Sequence, residues 1–148
     1  MPEGAICLGW STRETDVREV EMDVPFGERF ARAIAAKDAP VLLGLLAPKI
    51  DFRAMTPGRI WEADSPAQLV DEVILGKWFE PTDRIDAIEA IENGEVADRE
   101  SVRYRFRVTN NDGAFLVEQQ AYLGVAEDRI AFLRIMCSGY RPIDKTAD

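Results

Sequence analysis

The sequence predicts an α+β domain, with helices on one face of a curved, mostly antiparallel sheet. Three observations carry this. Apolar residues recur at helical spacing in 26–37, 41–46 and 69–78. From 101 to 142, runs rich in Val, Ile, Phe and Tyr are separated by Asn-Asn-Asp-Gly and Ala-Glu-Asp-Arg, the pattern of a meander. The order of helices, strand, helix and then strands segregates helices from sheet.

A chain of 148 residues is one domain by length. It divides into an arm (1–24), a domain (25–142) and a tail (143–148). The arm is charged without periodicity and ends at Pro25. The first helix is expected over 26–37, with Phe26, Phe30, Ala33 and Ile34 inward and Glu28, Arg29, Arg32 and Lys37 outward. Asp38 caps a short second helix, Pro40 suits its first turn and Pro48 stops it. Residues 49–55 alternate as a strand with Ile50, Phe52 and Ala54 on one face. Thr56-Pro57-Gly58 turns the chain into a short strand that carries Trp61. Ser65 and Pro66 open a third helix that ends near Phe79, before Pro81. A strand over 84–92 and a turn at Asn93-Gly94 lead into the meander.

The pairing within the meander depends on Asn110-Asn111-Asp112-Gly113. A three-residue loop with Gly113 left-handed in a bulge sets Phe106 across from Glu118, Tyr104 from Gln120 and Val102 from Tyr122. A two-residue Asp-Gly turn would reverse the faces, because a slip of one residue flips every side chain. The three-residue loop is preferred because Val102, Tyr104 and Phe106 then share a face with Leu116. A hairpin at Glu127-Asp128 adds Leu133, Ile135 and Cys137 to that face. Arg103, Arg105 and Arg107 form a row on the opposite one.

Composition excludes several functions. A net charge of −9 disfavours phosphate backbones and anionic lipid, so neither nucleic acid nor membrane is an expected partner. The chain has no histidine, which removes Ser-His-Asp and Cys-His catalysis and the usual zinc or non-haem iron ligand. Cys7 and Cys137 make no metal-binding spacing, and neither metal nor cofactor is expected. The first residues lack a basic start and a long apolar core, and the apolar stretch 41–47 is too short to span a bilayer. Cytoplasmic localisation is the expectation.

The first helix with its Ala-Lys-Asp end, the short second helix, Ile50-Asp51-Phe52, Trp61 and a third helix before a curved sheet resemble the nuclear-transport-factor-2-like superfamily. This cone-shaped, cystatin-like fold is that of ketosteroid isomerase, scytalone dehydratase and the SnoaL-like polyketide cyclases. The resemblance implies three N-terminal helices packed on the sheet, a pocket between helices and concave sheet face, and a homodimer through the outer face. It implies no particular reaction. The oxyanion-donating tyrosine of ketosteroid isomerase falls at Phe30 and its general-base aspartate at Ala54. Its protonated aspartic acid falls near Gln120, which still donates a hydrogen bond. The histidines of scytalone dehydratase have no counterpart.

The expected site therefore lies on the inner face. Glu118, desolvated among apolar neighbours, would have a raised pKa and serve as general acid or base. The alternative is that it pairs with an arginine or sits fully solvated at the open rim. Phe52, Trp61, Tyr104 and Leu133 would enclose a small apolar or cyclic ligand, Gln120 and Tyr122 would orient it, and Cys137 would line the pocket as a small hydrophobe. Phe30 and Trp78 read as plain core. Three functions follow: a small-molecule-binding protein, an isomerase, dehydratase or cyclase built on Glu118, and a ligand-free dimerisation module.

Overall fold

Ten elements make up residues 24–143, the part of the chain that this computed structural model describes. In chain order they are α1 (Phe26–Ala35), α2 (Ala39–Leu45), β1 (Leu46–Thr56), β2 (Arg59–Ala63), α3 (Gln68–Trp78), β3 (Arg84–Val96), β4 (Arg99–Asn110), β5 (Gly113–Ala126), β6 (Arg129–Cys137) and β7 (Arg141–Pro142). The strands form one seven-stranded sheet in the order β2-β1-β6-β5-β4-β3, with β7 on β5. The β1–β6 pair is parallel and the others are antiparallel. The fold class is the expected α+β. The expected arm and tail lie outside the described residues, apart from Val24 and Ile143.

Helix α1 buries Phe30, Ala31 and Ile34 completely. It stops two residues short of the expected 37, because Lys37 adopts φ +52° and the N–H groups of Lys37 and Asp38 fold back on the carbonyls of Ile34 and Ala33. This left-handed closure satisfies carbonyls that a helix end leaves open. Asp38 then caps α2 as expected, accepting from the Val41 N–H at 3.2 Å.

The expectation of three N-terminal helices needs correction. Only α1 and α2 are α-helices that precede the sheet, while α3 follows the β1–β2 hairpin and is π-helical. Its start is the expected one, with Ser65 Oγ accepting from Gln68 N–H at 3.2 Å. Its end is wider: the Phe79 N–H donates to the Ile74 carbonyl five residues back, at 2.8 Å. Gly76 permits this winding, since a Cβ there would stand 2.5 Å from the Asp71 carbonyl oxygen. Leu69, Val70, Val73, Ile74 and Trp78 are all buried as a result.

Both meander hairpins depart from the expected register. Asn110 pairs with Gly113 across a two-residue loop, so Tyr104 faces Gln119, Phe106 faces Val117 and Val102 faces Ala121. Asn110 closes this loop itself, its side-chain oxygen accepting from the Asp112 N–H at 2.8 Å. Gly113 takes φ +132°, a conformation suited to glycine. The second turn is at Glu127-Asp128 as expected, both residues having the positive φ of a tight hairpin turn. A bulge opposite Gly124-Val125 then shifts β6 by one residue, so Leu133 pairs with Leu123 and Ile135 with Ala121. The two slips compensate. Leu133 and Ile135 stay inside, but they meet the odd-numbered residues of β5 rather than the even-numbered ones.

The Asn93-Gly94 turn is also corrected. The β3 strand continues to Val96 with Gly94 opposite Ser101, and the reversal occurs at Ala97-Asp98, where Ala97 has φ +55°. The inner face now reads Val102, Tyr104, Phe106 and Val108 on β4, and Val117, Gln119, Ala121 and Leu123 on β5, all buried.

Helix α1 approaches β4 very closely at Gly27. A Cβ there would lie 2.7 Å from Val102 Cβ, and the Gly27 N–H donates to the Glu100 carboxylate at 2.7 Å. Gly27→Ala is expected to destabilise the fold by about 1–3 kcal/mol through overpacking. Urea unfolding of the two proteins measures this, and an unchanged midpoint would contradict the close packing.

Candidate functional site

The register places the expected site residues on two different faces. Glu118, Gln120 and Tyr122 are on the outer face with Arg103, Arg105 and Arg107, because the inner positions of β5 are odd-numbered. Glu118 accordingly lies 2.5 Å from Arg103 Nη1 and 3.3 Å from Arg105 Nε. Arg103 also meets Glu92 at 2.8 Å, and Arg107 meets Glu89 at 3.3 Å. The hydrogen bond from Arg103, with a smaller contribution from Arg105, holds the Glu118 carboxyl below its ordinary range against a modest opposing effect of burial. This is the reverse of the shift expected for a general acid, and the pairing reading of Glu118 is the one the geometry matches.

Of the remaining expected residues, Phe52, Tyr104 and Leu133 are buried in the core. Trp61 and Cys137 are half-buried and line a hollow of about 180 Å³ at the end of α3. Thr56, Trp78, Phe79, Val117, Gln119 and Tyr140 share that lining. Four depressions are larger, at about 610, 440, 520 and 480 Å³, and the first two run past Met55, Ile60 and Met136 on the outside of the sheet. Among their linings the one buried polar side chain is Asp83, whose carboxylate has hydrogen-bond partners, whereas the smaller hollow is lined by Gln119 and Trp78, which carry buried polar atoms without partners, so it is the candidate site.

Two lining residues, Gln119 and Cys137, belong to one row across three strands. Gln119 on β5 is in register with Tyr104 on β4 and with Cys137 on β6. The Tyr104 hydroxyl donates to Gln119 Oε1 at 2.5 Å. Burial pushes this hydroxyl well above the usual tyrosine range, so it remains a donor at any physiological pH. Gln119 is 1% exposed and Trp78 is 6% exposed. Among the described residues, Gln119 Nε2 and Trp78 Nε1 are the two buried side-chain polar atoms with no hydrogen-bond partner, and both residues line this hollow.

The walls are aromatic. Trp61 meets Trp78 edge-on with ring centroids 6.1 Å apart, and Phe52 lies 6.1 Å from Trp78 on its other side. Trp61 is fixed by its indole N–H donating to Thr56 Oγ1 at 2.8 Å and by Arg59 over its ring at 3.6 Å. Tyr140 closes the end: its hydroxyl is 2.7 Å from the Trp78 carbonyl oxygen and 3.1 Å from the Asp83 carboxylate. Burial and the nearby Asp83 charge push the Tyr140 pKa up. Asp83 is itself anchored by the Glu80 N–H and by Asn110 Nδ2, each at 2.9 Å.

No carboxylate lines the hollow, and Lys77 is the one charged residue on its wall. The arrangement offers hydrogen-bond donors and apolar surface. Among the described residues no cluster of side chains could hold a metal ion, and no helix is long and apolar enough to cross a membrane.

Gln119 and Trp78 were not among the expected site residues. A signal for Gln119 was available: it is the one polar residue in the alternating set Val117, Gln119, Ala121 and Leu123, whereas the other set contains Glu118, Gln120 and Tyr122. Trp78 gave no such signal, since an apolar helix position predicts core.

The fold matches solved structures that share little sequence with the chain. A candidate isomerase from Rhodopseudomonas palustris is 14% identical, with a TM-score of 0.61 over 79% of this chain and 92% of that one. An LEH-like epoxide hydrolase of M. tuberculosis is 12% identical, with a TM-score of 0.56 over 76% and 80%. An NTF2-like protein from Burkholderia thailandensis is 18% identical, with a TM-score of 0.55 over 76% and 88%. The chain has the nuclear-transport-factor-2-like fold. At these identities the likeness concerns the fold alone. No protein-family model matches the sequence, and no curated protein matches it.

The Glu118 pairing has a pH signature. A carboxylate whose folded pKa is depressed stabilises the fold above its unfolded pKa, near 4.3, and that stabilisation is lost as pH falls through the folded value. Glu118→Gln is therefore expected to lower stability at pH 7 by roughly 0.2–1 kcal/mol, the range for a surface ion pair. The difference should vanish below the ordinary glutamate range. Chemical denaturation across pH 2.5–7 (~0.5-unit steps) reads this out, and a deficit that grows with acidity would contradict it.

Proposed function

We propose that the chain is a small-molecule-binding protein whose ligand occupies the hollow at the end of α3. The observation that supports this best is the pair of buried N–H groups without partners, Gln119 Nε2 and Trp78 Nε1, on two residues that line one hollow. A buried donor without an acceptor costs about 1–3 kcal/mol, and a pair of them in one place is more than packing requires. Trp61 and Cys137 line the site, Phe52 backs Trp78, and Tyr104 orients Gln119. Gln120, Tyr122 and Glu118 belong to the outer face and take no part. An acid–base enzyme built on Glu118 receives no support from this arrangement, since the sheet separates that carboxylate from the hollow.

A ligand at about 100 times its Kd would stabilise the fold by about 2.7 kcal/mol, enough to raise Tm by several degrees. Thermal shift over a panel of small cyclic compounds is expected to find such ligands, and they should also perturb Trp61 and Trp78 fluorescence. Gln119→Leu should remove the shift. Ligands that stabilise this variant as well as the parent would place binding elsewhere.

The outer face supports a second part of the reading, a homodimer. Ile60, Met55 and Met136 are in register across β2, β1 and β6 and are 68%, 48% and 58% exposed. A contiguous exposed apolar strip of this kind marks an interaction surface. It adjoins the ion pairs Arg53–Glu62 and Arg134–Asp51, which would form a polar rim. The double variant Ile60→Lys/Met136→Glu is expected to convert a dimer to a monomer in light scattering after gel filtration. A parent protein that is monomeric at high concentration would refute this.

A further inference from the structure

The hydrogen-bonding character of the hollow narrows the chemistry of its occupant. An indole N–H can only donate, so the Trp78 side of the site has one possible polarity. The Gln119 amide has an oxygen and a nitrogen to present, and the oxygen is the end taken by Tyr104. With the amide as observed, the buried Tyr104 hydroxyl has an acceptor in Oε1, and Nε2 is left without a partner. The flipped amide would instead donate to the Tyr104 hydroxyl oxygen and leave both the hydroxyl proton and Oε1 without partners in the core. In the observed arrangement both orphan groups are donors.

Size adds a second restriction. A cavity of about 150 Å³ holds one benzene ring, and this hollow measures about 180 Å³. Its aromatic walls, Trp61, Trp78, Phe79 and Tyr140, suit a flat ring. The absence of any carboxylate from the lining leaves nothing to repel a partly or fully negative oxygen, and Lys77 stands at the wall.

We infer that the hollow takes a single-ring compound whose polar end is a carbonyl-type oxygen, held by the N–H groups of Gln119 and Trp78. This rests on the proposed binding role and adds the ligand class to it. Ketone and carboxylate ligands share the recognising oxygen and differ in charge, so Lys77 separates them.

Isothermal titration of the full chain with acetophenone, benzoate, isopropylbenzene and benzylamine tests the inference. At least one of the two oxygen compounds is expected to bind about tenfold or more tighter than isopropylbenzene, and benzylamine should bind no better than the hydrocarbon. Gln119→Met and Trp78→Phe should each reduce that preference while isopropylbenzene binding persists. Trp78→Phe keeps the aromatic packing, so it stands as the test if Gln119→Met fails to fold. Lys77→Met should weaken benzoate and leave acetophenone unchanged. Hydrocarbon binding equal to that of the oxygen compounds would overturn the ligand class but leave the binding role standing. A preference untouched in both variants would overturn its assignment to Gln119 and Trp78. If none of the four compounds binds while the thermal-shift panel yields ligands, the ligand class fails and the binding role stands; if that panel is blank as well, the binding role fails.

Discussion

The structure depends on which half of β5 is buried. This strand lies between β4 and β6, and its two faces differ sharply in what burial would cost. The odd-numbered set places one uncharged amide among Val117, Ala121 and Leu123. The even-numbered set would bring the Glu118 carboxylate, the Gln120 amide and the Tyr122 hydroxyl into the core. Desolvating the carboxylate alone costs several kcal/mol, more than any local preference of a hairpin turn supplies. The turn at Asn111-Asp112 and the bulge on β6 are the local adjustments by which both neighbouring strands accommodate the odd set.

Once this parity is set, the two faces separate in character. On the outer face each of Arg103, Arg105, Arg107 and Arg134 meets a carboxylate of the same chain, while Ile60, Met55 and Met136 form an exposed apolar strip. On the inner face Gln119 is the one buried polar residue of the β5 set, and its Oε1 accepts from the hydroxyl of Tyr104.

The third helix completes the site. Its π-helical turns, allowed by Gly76, carry Trp78 into the interior between Phe52 and Trp61. Tyr140, from the segment after β6, ties to the Trp78 carbonyl and Asp83 and closes the end of the hollow. Gln119 Nε2 and Trp78 Nε1 have no hydrogen-bond partner there, a departure from the full satisfaction that a packed core otherwise shows.

Much of the fold was legible from local chemistry. The cap at Asp38, the cap at Ser65, the turn at Glu127-Asp128 and the alternation in β1 each depend on a few adjacent residues, and each stands where it was expected. The π winding of α3 was not legible, since an apolar face reads alike at either pitch. The candidate site was legible only in part: Trp61 and Cys137 line the hollow, whereas Glu118, Gln120 and Tyr122 face outward. The sequence by itself determined the element order, the fold class and the composition of each strand. Only the tertiary structure decided the face each residue takes, because the turn chemistry of Asn110 to Gly113 admits more than one loop length and the choice rests on burial summed over β4, β5 and β6 together.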